Sequence, residues 1–319
     1  MGDYLKYIIA RLLIGILFVV IVYNLNSYLF QTKHSAIFKG VKHLIVGDSH
    51  FNGIAINQVM HMGQDSEVYY TMLQKIKEVN RHSELKNVVI AYSYLNFSKN
   101  YFDDFLLSND VQSYSISKRN YPLASIADQF KQSTFKSQLI KVLSRFNVSF
   151  NFNYMRSAEN VKKNLPFMWY QENLSVKHNL TFLKRTQDAR KRKIVPSSAR
   201  YKNNVAAKME RLFINDDNEI SHTNLSYLSE ILVYCKTNNI KVTLVSTPLE
   251  SYYFESIPEY KKLAFDNHTQ DILNTYSNVQ FLDYTHYFED TVYFIDEHHV
   301  GGYGAALLSI EIEKHIFKK

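Results

Sequence analysis

The chain has 319 residues, of which 46% are hydrophobic and 21% charged, and a formal net charge of +7. This balance excludes a disordered chain, and nine Gly and five Pro exclude collagen-like and Pro-rich architectures. A single cysteine, Cys235, excludes an intramolecular disulfide framework and a Cys-rich zinc module, and the length suits one domain carrying an insertion.

Leu12 to Tyr23 (LLIGILFVVIVY) is an unbroken apolar run, brought to spanning length by Tyr7–Ala10 before it and Leu25–Phe30 after it. A bilayer core takes about 20 residues of helix. Arg11 can snorkel to the nearer face, and Tyr4, Tyr7, Tyr23 and Tyr28 suit the headgroup belt. Lys6 and Arg11 also fit the basic start of a cleaved signal peptide, but no small-x-small site follows, since Gln31, Thr32, Lys33 and His34 come next. The expectation is an uncleaved signal anchor within residues 1–31, with the rest of the chain on the extracytoplasmic side of the bilayer.

His43–Gly47 (HLIVG) reads as a short strand ending in a glycine turn, with Asp48, Ser49 and His50 beyond it. Ligands bind past the carboxyl ends of strands in open parallel sheets, which is where Ser49 stands. Taken alone, the Gly-Asp-Ser triplet reads more readily as a strand-to-helix turn capped by Asp48 or Ser49. His61 and Met62 read as packing residues, Glu67–Asn80 has helical spacing, and Asn87–Ala91 (NVVIA) reads as a second strand.

Between Ser98 and Ser221 no strand–helix alternation can be read, so a mostly helical insertion is expected over 98–221, separating domain parts 32–97 and 222–319. Lys118 to Arg211 carries 20 Lys and Arg against five Asp and Glu, a net of +15 that leaves about −8 elsewhere. The density peaks at Lys184, Arg185, Arg190, Lys191, Arg192 and Lys193. Such a run is either a solvated helix face or a surface that meets acidic lipid or an acidic glycan. No nucleic-acid-binding module is visible, and nucleic acid is not expected as a partner.

Leu225–Thr237 and Tyr260–Thr275 have helical spacing, and Ile240–Val245 and Asn278–Leu282 read as strands. Strands alternating with helices give a parallel sheet covered on both faces. After the last strand comes Asp296-Glu297-His298-His299-Val300-Gly301-Gly302-Tyr303-Gly304. An Asp three residues before a His can accept its ring N–H, which fixes the tautomer and leaves the other nitrogen for a serine. A serine needs such a base because its hydroxyl is barely ionised at neutral pH. Asp296 and His299 alone would read as helix caps; with Ser49 at the other end of the same α/β unit, the three read as a Ser-His-Asp triad. His298 has no second ligand at the expected sequence spacing, and Gly301, Gly302 and Gly304 lack the Lys and Ser/Thr of a phosphate loop, so neither metal nor cofactor is expected.

On these motifs the chain resembles the SGNH, or GDSL-like, hydrolase superfamily. Gly47-Asp48-Ser49-His50 is similar to its first block, and Asp296-x-x-His299-Val300 followed by Gly304-Ala305 is similar to its last. The resemblance implies a flavodoxin-like three-layer α/β/α fold with Ser49 as nucleophile, His299 as base and Asp296 as its orienting acid. It also implies an oxyanion hole, for which Gly63, Asn96 and the Ser49 N–H are the candidates. Asn96 falls in register in Ser93-Tyr94-Leu95-Asn96, whereas the Gly and Asp usual in that block are absent.

Thr247-Pro248 with Tyr252 and Tyr253 behind it, and Phe294-Ile295-Asp296, are similar to membrane-anchored SGNH proteins of polysaccharide O-acetylation and teichoic-acid D-alanylation. That narrower likeness implies an esterase or O-acyltransferase, with acetyl the favoured group, acting on a cell-surface glycan beside a membrane-bound O-acyltransferase. The competing expectation is a non-catalytic accessory protein of the same fold that supports such an acyltransferase or binds an anionic polymer.

Overall fold

The computed structural model describes residues 38–51, 53–63, 67–99, 196–214 and 220–317, with scattered positions between 4 and 17. Strands β1 (His43–Val46), β2 (Met60–His61), β3 (Asn87–Ala91), β4 (Lys241–Ser246) and β5 (Val279–Asp283) form one parallel sheet in the order β2-β1-β3-β4-β5. This is the doubly wound order of flavodoxin-like sheets. Helices α1 (Tyr69–His82), α2 (Ala199–Met209), α3 (His222–Thr237), α4 (Ser251–Ser256), α5 (Glu259–Thr275) and α6 (Gly302–Ile316) accompany it.

The strands are apolar on both faces because both are covered. Leu44, Val46, Val88, Ile90, Val242 and Leu244 face a cluster with Leu73 and Ile76 of α1, Leu228 and Ile231 of α3, and Phe265 of α5. Their alternates Ile45, Val89, Ala91 and Val245 face Leu308, Ile312 and Ile316 of α6. The side-chain period of two assigns each residue to its layer, and a one-residue slip would exchange the two sets. The α/β expectation therefore holds, with four of the strands close to their expected positions. β2 was not expected: two residues carry no periodicity, and it exists because Met60 and His61 pair with Leu44 and Ile45.

Local signals set the helix ends. Ser221 caps α3 by accepting the N–H of Asn224, and beyond the other end Asn239 takes the left-handed conformation, φ 57°, that commonly follows a helix. The Ser98 and Ile220 backbones form an antiparallel bridge, and the Ser221 N–H donates to Phe97 O at 3.0 Å, so the two ends of the 98–221 stretch meet. Near its end, α2 runs on into a π-helical turn, Glu210–Ile214. Positions 100–195 and 215–219 lie outside the described residues, and with them the basic cluster from Lys184 to Lys193. The apolar run Leu12–Tyr23 also falls mostly outside them; among the described residues no helix is long and apolar enough to cross a membrane.

Candidate active site

Parallel pairing aligns the carboxyl ends of β1, β3 and β4 along one edge of the sheet, where the turns carrying functional side chains begin. A Cβ at Gly47 would lie 2.7 Å from the Ala91 Cβ and 2.9 Å from the Phe51 ring, so only glycine lets the chain leave β1 this close to β3. A 3-10 turn, Ser49–Phe51, follows at once. As its first residue, Ser49 has an N–H with no acceptor inside the turn.

Ser49 Oγ lies 2.8 Å from His299 Nε2, and His299 Nδ1 lies 2.8 Å from Asp296 Oδ2. With Nδ1–H donating to the carboxylate, Nε2 is the acceptor for the serine hydroxyl. Asp296 Oδ1 also accepts the backbone N–H groups of His298 (3.0 Å) and His299 (2.9 Å), so one side chain both caps the turn and orients the imidazole. Burial alone would raise the Asp296 carboxyl; hydrogen bonds from His298 and His299, and their charge, outweigh it and hold the carboxyl well below its ordinary range. The structure thus brings together Ser49, His299 and Asp296, the three residues singled out in sequence.

Asp48 is fully buried and takes the capping role, accepting the backbone N–H of His50 at 3.0 Å and facing His50 Nδ1 at 2.7 Å. Burial opposes charge on both, but their mutual attraction prevails: the Asp48 carboxyl is lowered and the His50 imidazole raised. Beside them His298 stacks on Tyr253 of α4, with ring centroids 5.2 Å apart and planes 19° apart, and burial pushes its imidazole down to about 3. Lys208 of α2 reaches the same loop, pairing with Glu297 and donating to His298 Nδ1 at 3.1 Å.

The expected oxyanion donors differ in their state. Gly63 lies against the nucleophile's turn, since a Cβ there would lie 3.0 Å from Gly47 O. Its N–H is committed to His61 Nδ1 at 3.2 Å, while His61 Nε2–H donates to Phe51 O at 2.9 Å. Asn96 is fully buried; its Oδ1 accepts from the Ser93 N–H at 2.8 Å, and its Nδ2 has no partner among the described residues. No hydrogen bond among the described residues links Asn96 with the triad.

Beneath Gly63 lies an ion pair the sequence reading missed. Lys75 of α1 pairs with Glu67 at 2.5 Å and donates to Met62 O at 2.6 Å, and both charged side chains are almost wholly buried. The available signal was a lysine between Met72 and Ile76 on the apolar face of α1. His50 and Lys208 were missed because only the fold brings them beside His298 and Glu297. Neither the protein-family models nor the curated proteins include a match to this chain.

Proposed function

We propose that this chain is a membrane-anchored serine acyl-transfer enzyme of the SGNH, GDSL-like kind, moving an acyl group, acetyl in the favoured case, onto or off an extracytoplasmic glycan. The observation that carries the reading is the continuous path from Ser49 Oγ through His299 to Asp296, each step at 2.8 Å. The 2-1-3-4-5 sheet with the serine just past its first strand is consistent with it. The anchor rests on the apolar run Leu12–Tyr23, and the glycan on resemblance in Thr247-Pro248 and Phe294-Ile295-Asp296.

In this reading Ser49 Oγ attacks the ester carbonyl carbon while His299 Nε2 takes the hydroxyl proton. Asp296 stabilises the resulting imidazolium through Nδ1–H, and the Ser49 N–H donates to the oxyanion. His299 then returns the proton to the departing alcohol, leaving an acyl ester on Ser49. Water or a sugar hydroxyl attacks that ester with His299 again as base, giving hydrolysis or transfer.

One observation favours a second reading, a non-turning-over accessory protein that supports a membrane-bound O-acyltransferase. The Gly63 N–H already serves His61 Nδ1, so one donor of the expected oxyanion hole is occupied. Nitrophenyl acetate hydrolysis and labelling by a fluorophosphonate, measured on the full chain in detergent for wild type and Ser49→Ala, separate the two. The enzyme reading expects labelling at Ser49 and a loss of hydrolysis on the order of 10³-fold or more in the variant. Wild-type protein that is folded yet neither labels nor hydrolyses would sink it and leave the accessory reading.

A further inference from the structure

Three imidazoles from opposite ends of the chain converge at the catalytic edge. His50, His298 and His299 each offer one ring nitrogen, and these nitrogens all lie within 4.8 Å of one another. The ring centroids are 4.8 Å apart for His50 and His299, 5.2 Å for His50 and His298, and 4.0 Å for His298 and His299. Three imidazoles on one tetrahedral zinc, at about 2.0–2.1 Å per Zn–N bond, would have ring centres about 5 Å apart, so the cluster needs only small rotations to close on an ion.

All three rings turn Nδ1 toward a carboxylate, and the His298 Nδ1 is shared with the Lys208 ammonium. Asp48 holds His50 through Nδ1 at 2.7 Å, and Asp296 faces His299 Nδ1 at 2.8 Å and His298 Nδ1 at 3.2 Å. Metal-binding histidines commonly have a carboxylate on one nitrogen and the other left for the ion, as His50 and His299 do; His298 joins them when Lys208 gives up Nδ1 and the ring proton moves there to face Asp296. The remaining nitrogen of His50 is the telling one. His50 is only 3% exposed, and its Nε2 is buried with no hydrogen-bond partner among the described residues. A buried polar atom without a partner is costly, and a metal ion that takes the place of the ring proton would satisfy it.

A neighbouring cluster shows the contrast. Asp296, Glu297 and His298 also converge, but there Lys208 already supplies the cation, through its pair with Glu297 and its bond to His298 Nδ1. Among the described residues no lysine or arginine bonds His50, whose ring meets only the Asp48 carboxylate through Nδ1.

We infer that His50, His298 and His299 form a binding site for a first-row divalent metal ion of the zinc type, overlapping the catalytic base. Borderline-soft ions suit a set of neutral imidazoles, whereas magnesium and calcium demand oxygen ligands. Binding takes His299 Nε2 from Ser49 Oγ, so the loaded state has no free base. If the acyl-transfer reading holds, the ion is therefore an inhibitor that reports metal status outside the cytoplasm. The metal site itself is independent of that reading, because it is read by binding rather than by turnover.

The test is zinc binding to the full chain in detergent, followed by competition with a chromophoric chelator, for wild type, His50→Gln, His298→Gln and His82→Ala. His82 lies in the last turn of α1, beyond the opposite end of the sheet, and controls for adventitious surface binding. The expected result is one zinc per chain at micromolar concentration, weakened on the order of tenfold or more by either glutamine variant and unchanged by His82→Ala. Binding that survives both glutamine variants, or no retained zinc, overturns the site. Cobalt substitution in wild type guards against a misfolded variant. Intense visible bands of a four-coordinate ion are expected, and a weak six-coordinate spectrum overturns the proposal.

Discussion

Ser49 and His299 stand 250 positions apart in the chain and 2.8 Å apart in space, joined because both leave the same edge of the sheet. The imidazole is held for this contact by Asp296, whose Oδ1 is also fixed by two backbone N–H groups. Asp296→Asn keeps an oxygen for those N–H groups while removing the charge that sets the tautomer. Fluorophosphonate labelling and ester hydrolysis are therefore expected to fall on the order of 10⁴-fold with the melting temperature little changed. A variant that hydrolyses within tenfold of wild type would show that His299 does not depend on Asp296 for its tautomer.

Lys75 and Glu67 form a buried pair whose effect reaches the catalytic edge through one peptide. Lys75 draws Met62 O into the core, and in a planar trans peptide the following N–H, that of Gly63, points the opposite way. Lys75→Met leaves the Glu67 carboxylate buried without its ammonium, and urea denaturation is expected to show a loss of about 3–5 kcal/mol. Lys75→Met combined with Glu67→Leu should regain most of that stability, since a buried pair replaced by apolar side chains is often neutral. Labelling of Ser49 should fall in both variants, because the Gly63 peptide packed against Gly47 O has lost the bond to Met62 O that fixes it beside the nucleophile's turn. Recovery of both stability and labelling together would mean that the pair holds only the fold.

The parts of this architecture legible in sequence are those with a short-range cause. His43–Val46, Asn87–Ala91 and Lys241–Ser246 announce themselves as apolar runs ended by turns, and the Asp296-to-His299 spacing is local enough to be read directly. What was not legible depends on contacts made by the sheet. β2 is defined by its partner β1, and the His50 cluster exists only because the first and last blocks meet. Gly63 was legible as a candidate donor, but its engagement by His61 was not. That bond depends on Phe51 O fixing the His61 tautomer across the turn.

Cys235 lies fully buried on α3, and burial pushes its thiol up to about 12. The folded thiol therefore stays neutral while the unfolded one, near 9, ionises. The stability it contributes is fully present below pH 9 and lost as pH rises from there toward 12, by about 1.4 kcal/mol at pH 10. Cys235→Ala should flatten the fall in stability between pH 8 and pH 10 by about that amount in urea melts. Alkylation of the native protein by iodoacetamide at pH 8 should proceed only as fast as the helix opens. Rapid native alkylation would place the thiol in contact with solvent.

Lys208 couples α2, a helix from the 98–221 stretch, to the loop that carries the catalytic acid and base. Its ammonium pairs with Glu297 and donates to His298 Nδ1, while Tyr201, two turns earlier on the same helix, donates its hydroxyl to Glu250 at the start of α4. The Glu250 N–H in turn donates to Glu297 O at 3.3 Å, so α2, α4 and the catalytic loop brace one another. Lys208→Met leaves the largely buried Glu297 carboxylate uncompensated, at a cost of about 1–3 kcal/mol. It should also slow phosphonate labelling of Ser49 on the order of tenfold by loosening the loop that aims His299. Adding Glu297→Gln relieves the orphaned charge, so stability should return while labelling stays slow. If Lys208→Met labels at the wild-type rate, α2 covers the loop without positioning it, and the brace has no part in the chemistry.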